Sequence, residues 1–291
     1  MTPAAKLSQA TLEPRLDHVI VSVRGEIDAA RDTYSRLGFS LTERGHSSLG
    51  SSNHLAVFGE TYLEIFGFEP GNDAVFPPLW TDPTGLIGIV FKGDDPDLIV
   101  SAISNAGFDS PAPMHHGRPV RTSAGEAEAR FTTIGLPDDA IENGRSFFCC
   151  HHTPELVWRR EDQSHANGAH EIVGFDISAP DPAATARVYG NLFGPSCLSR
   201  DGSAITFRAG ATTVRIDTPA GMSARHGDAI EPWQDEDRMV ALTFATHDLR
   251  GARQVLTKAG VSFLAPTPSR LVVPAKAACG VALIFIEGQA A

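Results

Sequence analysis

The chain has 291 residues, 42% of them hydrophobic and 20% charged, with a formal net charge of −11. That composition can bury proper cores and excludes a disordered polymer, and the acidic balance speaks against a nucleic-acid partner, which needs a clustered basic surface. The length exceeds the usual size of one domain, so two are expected.

The opening MTPAAKLSQATLEPRLDHV has no basic segment followed by an apolar one, so no secretory signal is expected. No window approaches the roughly 18 apolar residues of a membrane span, so no membrane partner is expected either. Cys149, Cys150, Cys197 and Cys279 show no CxxC spacing. Adjacent Cys149 and Cys150 would face opposite sides of a strand. A cytoplasmic, reducing setting fits this usage.

In chain order, one pattern recurs four times: a short apolar run, a polar turn, an amphipathic helix closed by glycine, then short strands. The runs are LDHVIVSV (16–23), LIGIVFKG (86–93), EIVGFDIS (171–178) and MVALTFAT (239–246). Rich in Val, Ile and Phe and too short for helices, they read as strands. In the first helix Ile27, Ala30, Tyr34 and Leu37 share one face, and in the fourth Leu249, Ala252, Leu256 and Ala259 do. Gly38, Gly107, Gly194 and Gly260 mark the helix ends. The following strands are SLTERG, NHLAVF and TYLEIFGF in the first unit, and PVRTS, ARFTTIGL and SFFCCHH in the second. AITFRA and TTVRIDT serve the third unit; SFLAP, LVVPA and VALIFIEG serve the fourth. The reading is an α+β protein of four βαβββ modules paired into two domains. An N-terminal tail (1–14) precedes a first domain (15–158); the polar segment RREDQSHANG (159–168) is a linker, and a second, degenerate domain covers 169–291.

Paired βαβββ units, with LDHVIVSV, NHLAVFGETYLEIFGF, FFCCHHTPELVWRR and HANGA, resemble the glyoxalase-like branch of the vicinal oxygen chelate superfamily. The resemblance implies curved mixed sheets around a cavity, with metal ligands on the first and last strands of each unit. It places His18, in the first strand, and Glu64, in the last strand of unit one, as ligands. Read from the residues alone, His18 could equally be a strand-end histidine and Glu64 an exposed edge residue.

Matching Phe39 to Phe108, an offset of 69, sets Ile87 opposite His18, so the second unit's first strand offers no ligand. Matching GETYLEIF to GRSFFCCH sets Cys149 opposite Glu64, with His151 on the same face. His151 is thus the expected third ligand, completing a two-His-one-carboxylate set suited to Fe, Mn, Zn or Ni; Cys149 is the alternative and would favour zinc. Glu64 and His151 are also the expected proton-moving groups. Arg118 and Arg121 in MHHGRPVR, and Asn53 and His54 at the start of a strand, are the expected substrate-binding residues, the arginines for an anionic group. In the second domain Val173 and Val240 stand opposite His18. The last-strand position falls near Asp217 and Glu287, but neither comes with a first-strand histidine. This departs from the His, His and Glu set that ring-cleaving two-domain relatives carry there and disfavours an extradiol dioxygenase.

The leading expectation is a divalent-metal-dependent lyase, isomerase or dioxygenase acting on a small oxygenated molecule in the first cavity, as a monomer or homodimer. The alternative is a metal-free protein that sequesters a small molecule.

Overall fold

The computed structural model describes residues 12–69, 83–122 and 125–288; most of the expected N-terminal tail lies outside them. Two eight-stranded mixed sheets are present. The first contains β1 (Leu16–Arg24), β2 (Gly45–His46), β3 (Ser51–Phe58), β4 (Thr61–Phe68), β5 (Gly85–Lys92), β6 (Met114–Thr122), β7 (Gly125–Gly135) and β8 (Arg145–His151). The second contains β9 (Ala169–Ser178), β10 (Ser199–Asp201), β11 (Ala204–Ala209), β12 (Thr212–Asp217), β13 (Arg238–Thr246), β14 (Leu264–Thr267), β15 (Arg270–Val273) and β16 (Ala282–Glu287). Strand order is β2-β3-β4-β1-β5-β8-β7-β6 in one and β10-β11-β12-β9-β13-β16-β15-β14 in the other. Each unit's first and last strands pair in parallel, and the two units of a sheet join antiparallel at β1–β5 and β9–β13. The four βαβββ modules expected from the repeats are present, paired two to a sheet. SLTERG is the exception: only Gly45–His46 pairs as a strand, while Thr42 reaches Leu55 by a lone backbone bond.

The crossover helices bury the stripes their spacing predicts. Ile27, Ala30 and Tyr34 are buried in the helix Ile27–Arg36, and Leu249, Ala252 and Leu256 in Leu249–Lys258. Asp95 and Asp181 cap the helices Pro96–Asn105 and Pro182–Phe193, each accepting two backbone N–H bonds ahead of a proline in the first turn. Gly38 ends the first helix at φ +89°, where an added Cβ would lie 2.8 Å from Val255 and 3.0 Å from Asn167. Glycine is required there by both backbone and space.

Each sheet has a helix-bearing face and an opposite face. The helix-bearing faces turn toward each other and fuse into one apolar core running through both sheets. Phe39 and Phe58 meet Phe244 at 5.2 and 5.4 Å, and Phe91 meets Phe193 at 4.9 Å. Such interlocked rings add specific geometry to a large burial term. The segment 159–168 is tied into this seam. His165 accepts the Ser40 N–H and donates to the Val57 carbonyl, while Asn167 donates to the Leu37 carbonyl.

The opposite faces differ. The first sheet's carries a cavity. The second sheet's is filled by an eight-residue helix, Pro219–His226, that the sequence reading does not include. Its Met222, with Ala229 and Ile230 beyond it, packs on Val240, Val272 and Ile284.

Candidate functional site

The cavity encloses about 440 Å³ and is walled mostly by apolar side chains, among them Ile20, Leu55, Phe66, Ile87, Phe131 and Phe147. This is the size and character of a small-molecule site. Its polar groups His18, Asn53, Glu64, His116 and Arg118 come from β1, β3, β4 and β6, on alternate residues that share one sheet face.

On β1 the pairing with β5 slips by one residue between Leu16 and His18. Asp17 is the extra residue of this bulge, which breaks strict alternation and lets its carboxylate reach the His18 ring. Asp17 Oδ1 accepts from His18 Nδ1 at 2.6 Å and from His151 Nε2 at 3.0 Å. Burial alone would push the Asp17 carboxyl up, but the hydrogen bonds from His151 and His18 hold it well below the usual carboxylate range. Lys92 Nζ, lying over the Trp158 ring, is 3.6 Å from the other oxygen. An anionic carboxylate can only accept, so His18 carries its proton on Nδ1 and turns Nε2 to the cavity. Tyr62 stacks on the ring at 4.3 Å and Phe147 meets it edge-on at 5.8 Å, fixing its plane.

Glu64 Oε2 stands 3.6 Å from His18 Nε2. Its other oxygen accepts from Asn53 Nδ2 at 2.6 Å, across β3 and β4. Arg118 lines the same cavity and is 8% exposed. His116, also lining it, stacks on Phe131; burial, with His18 and His151 nearby, lowers its pKa to about 4. His116 is therefore neutral at ordinary pH.

Of the residues expected from sequence, His18, Glu64, Asn53 and Arg118 come together at the cavity. His54 does not: it lies one residue from Asn53, on the opposite side of β3, and its Nδ1 bonds the Thr42 carbonyl. Arg121 is three residues from Arg118, so it too faces away, toward solvent and Glu43. His151 shares the side of Cys149, yet it is packed against Trp158 and Phe131, and its Nε2 is spent on Asp17. Asp17 itself is the residue the sequence reading missed. A charged side chain in an apolar strand was the available signal, and strict alternation hid it by assigning it to the other face.

Two donor sets share this corner. His18 Nε2 and Glu64 Oε2 face the cavity; ligands bound to one cation at about 2.1 Å each lie roughly 3 Å apart, so a small closure of their 3.6 Å separation suffices. Asp17, Cys149 and His151 form a second, buried group whose donor atoms lie within 4.8 Å of one another. Asp17 Oδ2 and His151 Nδ1 are buried there without a hydrogen-bond partner. Burial pushes the Cys149 thiol well up, which works against a thiolate ligand. Asp17 and His151 are already bonded to each other, so the imidazole–carboxylate pair of His18 and Glu64 is the donor set that faces the cavity.

A duplicated βαβββ sheet with an imidazole and a carboxylate at its cavity wall defines a class of small-molecule sites, and the sequence places the chain in a family. The chain belongs to the glyoxalase-like domain family, whose model matches residues 16–193. Among solved structures, a hypothetical protein from Staphylococcus aureus is similar at a TM-score of 0.67 and 11% identity, over 94% of this chain and 99% of that one. A triple mutant of 4-hydroxymandelate synthase from Streptomyces coelicolor gives 0.60 and 13%, over 96% and 95%. A xylose isomerase-like TIM barrel/4-hydroxyphenylpyruvate dioxygenase fusion protein gives 0.57 and 14%, over 97% of this chain and 50% of the fusion. At these identities the likeness shows the fold alone. No curated protein matches the sequence. Among the described residues, no helix is long and apolar enough to cross a membrane.

Proposed function

We propose that the protein is an enzyme acting on a small oxygenated molecule in the first-sheet cavity, with His18 and Glu64 as its reactive pair. The observation that carries this reading is the 3.6 Å approach of His18 Nε2 to Glu64 Oε2 in a wall that is otherwise largely apolar. Asp17 keeps the His18 proton on the far nitrogen, so Nε2 presents a lone pair to the cavity. Asn53 holds Glu64 by one oxygen and leaves the other free to take or return a proton. The apolar wall excludes water and strengthens every charge interaction at that point. His18 and Glu64 would hold a divalent cation of the Fe, Mn, Zn or Ni class, which when bound supplies Lewis-acid stabilisation of a developing oxyanion. His151 acts through Asp17 and not on the substrate.

The test is metal content after metal-supplemented purification. About one ion per chain is expected in the wild type, as one imidazole–carboxylate site predicts, with most of it lost in His18→Ala and in Glu64→Ala. Cys149→Ala should keep it. Retention in the first two with loss in Cys149→Ala would move the ion to the buried group of Asp17, Cys149 and His151. One observation favours a second reading, a metal-free binding protein: where unit one offers His18 and Glu64, unit two lines the cavity with Ile87, Phe147 and Cys149. A wild type that takes up no ion yet binds apolar ligands would decide for it.

A further inference from the structure

Arg118 lines the cavity and is 8% exposed, yet among the described residues its side chain forms no hydrogen bond and no ion pair. Glu64, Tyr62 and Asp162 act on it only through space. Burial works against its charge, and no contact offsets that. A guanidinium this buried is usually paired, as most buried polar groups in folded proteins are. The strand beside it leaves it room: a Cβ on Gly45 would lie 3.0 Å from Arg118 Nη1 and 2.5 Å from Asn53 Oδ1. Beyond this polar end the wall is apolar, with Leu55, Phe66, Phe131 and Phe147 among its side chains.

We infer that Arg118 is the anchor for a carboxylate on the cavity's ligand, so that the substrate class is a small monocarboxylic acid with an apolar body. The planar fork of Arg matches a carboxylate through two parallel N–H bonds, and the apolar wall takes the remainder of the molecule. Glu64 acts on Arg118 through space without touching it, and the other arginine lining the cavity, Arg145, is already bonded to Asp138. This rests on reading the cavity as a small-molecule site, but it needs neither a bound cation nor turnover. Absence of metal would sink the reactive-pair reading and leave this one standing.

The experiment uses the full chain with benzoate, its neutral isostere benzamide, and inorganic phosphate, at matched ionic strength. Calorimetric titration should show benzoate binding the wild type roughly tenfold or more tightly than benzamide, as a charge-assisted fork predicts. Benzoate should also raise the melting temperature. Arg118→Met should erase the preference for benzoate. Without ligand it should melt no lower than wild type, because an unpaired buried charge has been replaced by an apolar chain of similar length. Equal affinity for benzoate and benzamide, or no binding of either by the wild type, overturns the proposal. So does a preference that survives in Arg118→Met, and phosphate binding more tightly than benzoate would overturn the carboxylate assignment. Should Arg118→Met melt well below wild type or not fold at all, the wild-type comparison of benzoate with benzamide decides alone.

Discussion

The two sheets share one strand order and one pairing scheme, and they part company on a single face. In the first, that face holds a cavity lined by His18, Asn53, Glu64 and Arg118. In the second, the helix Pro219–His226 occupies the same side, and the polar groups of β9 and β12 serve the protein itself. Asp176 is buried and accepts from His226 Nε2 at 2.7 Å, with Arg225 at 3.2 Å. Asp217 bonds Ser203, Arg215 and the backbone N–H of Thr218, just before the helix begins. A buried carboxylate needs partners wherever it sits. The second sheet supplies them from its own chain, whereas in the first, among the described residues, Glu64 has one side-chain hydrogen bond and Arg118 has none. Topology alone thus does not locate a site on this fold; the covering of the face does.

Substitutions in the second sheet's filling should break that contrast most strongly. Met222 is the helix's own fully buried side chain, so Met222→Ala should cost about 2–5 kcal/mol in urea unfolding. Leu55→Ala, at the wall of the existing cavity, should cost less, because its surroundings are already open. Equal losses would mean that the helix is not the second sheet's core. His226→Ala should cost about 1–3 kcal/mol, since it leaves Asp176 buried with Arg225 alone. A neutral result would show that the Asp176–His226 bond does not fasten the helix.

A smaller change should sharpen the contrast from the first sheet. Ile87 lines the cavity where unit one carries His18. Ile87→His should supply a third donor and tighten divalent-cation binding about tenfold, or 1.4 kcal/mol. Unchanged affinity in a folded variant would mean that the two units do not converge on one point.

Much of this was legible in the sequence, and the misses have physical causes. The four units, their helix stripes and their strands followed from period and glycine punctuation, because burial imposes those patterns directly. His18, Glu64, Asn53 and Arg118 fall on cavity-facing positions of their strands. Alternation, applied consistently, also separates His54 from Asn53 and Arg121 from Arg118. The bulge at Asp17 was not legible, since one inserted residue leaves no compositional trace. The helix Pro219–His226 was masked by its shortness and by Gly221, although Thr218 and Pro219 form a recognisable start: the Thr218 hydroxyl accepts from the Gly221 N–H.

The seam between the sheets offers the smallest effect, and acid is the lever. His165 accepts the Ser40 N–H on Nδ1 at 3.0 Å and donates Nε2–H to the Val57 carbonyl at 2.9 Å. Only a neutral ring with its proton on Nε2 can do both. Burial lowers its pKa below the ordinary 6.5, partly opposed by the bond to Val57. Below pH 6.5 the folded chain therefore binds fewer protons at this ring than the unfolded chain does. The stability it contributes is present above that pH and is lost as pH falls toward the folded value. His116, with its pKa near 4, acts in the same direction. The melting temperature should accordingly fall between pH 7 and pH 5. His165→Gln should flatten part of that fall, by a few degrees at most given roughly 2–4 °C per kcal/mol in proteins of this size. A glutamine can accept from Ser40 and donate to Val57 without titrating. Both halves should loosen together, because His165 sits against Phe39 and Phe58, which pack on Phe244 of the second sheet. Parallel pH profiles for wild type and His165→Gln would remove His165 from the acid response. Two separate melting steps at pH 5 would show that the sheets do not share one cooperative core.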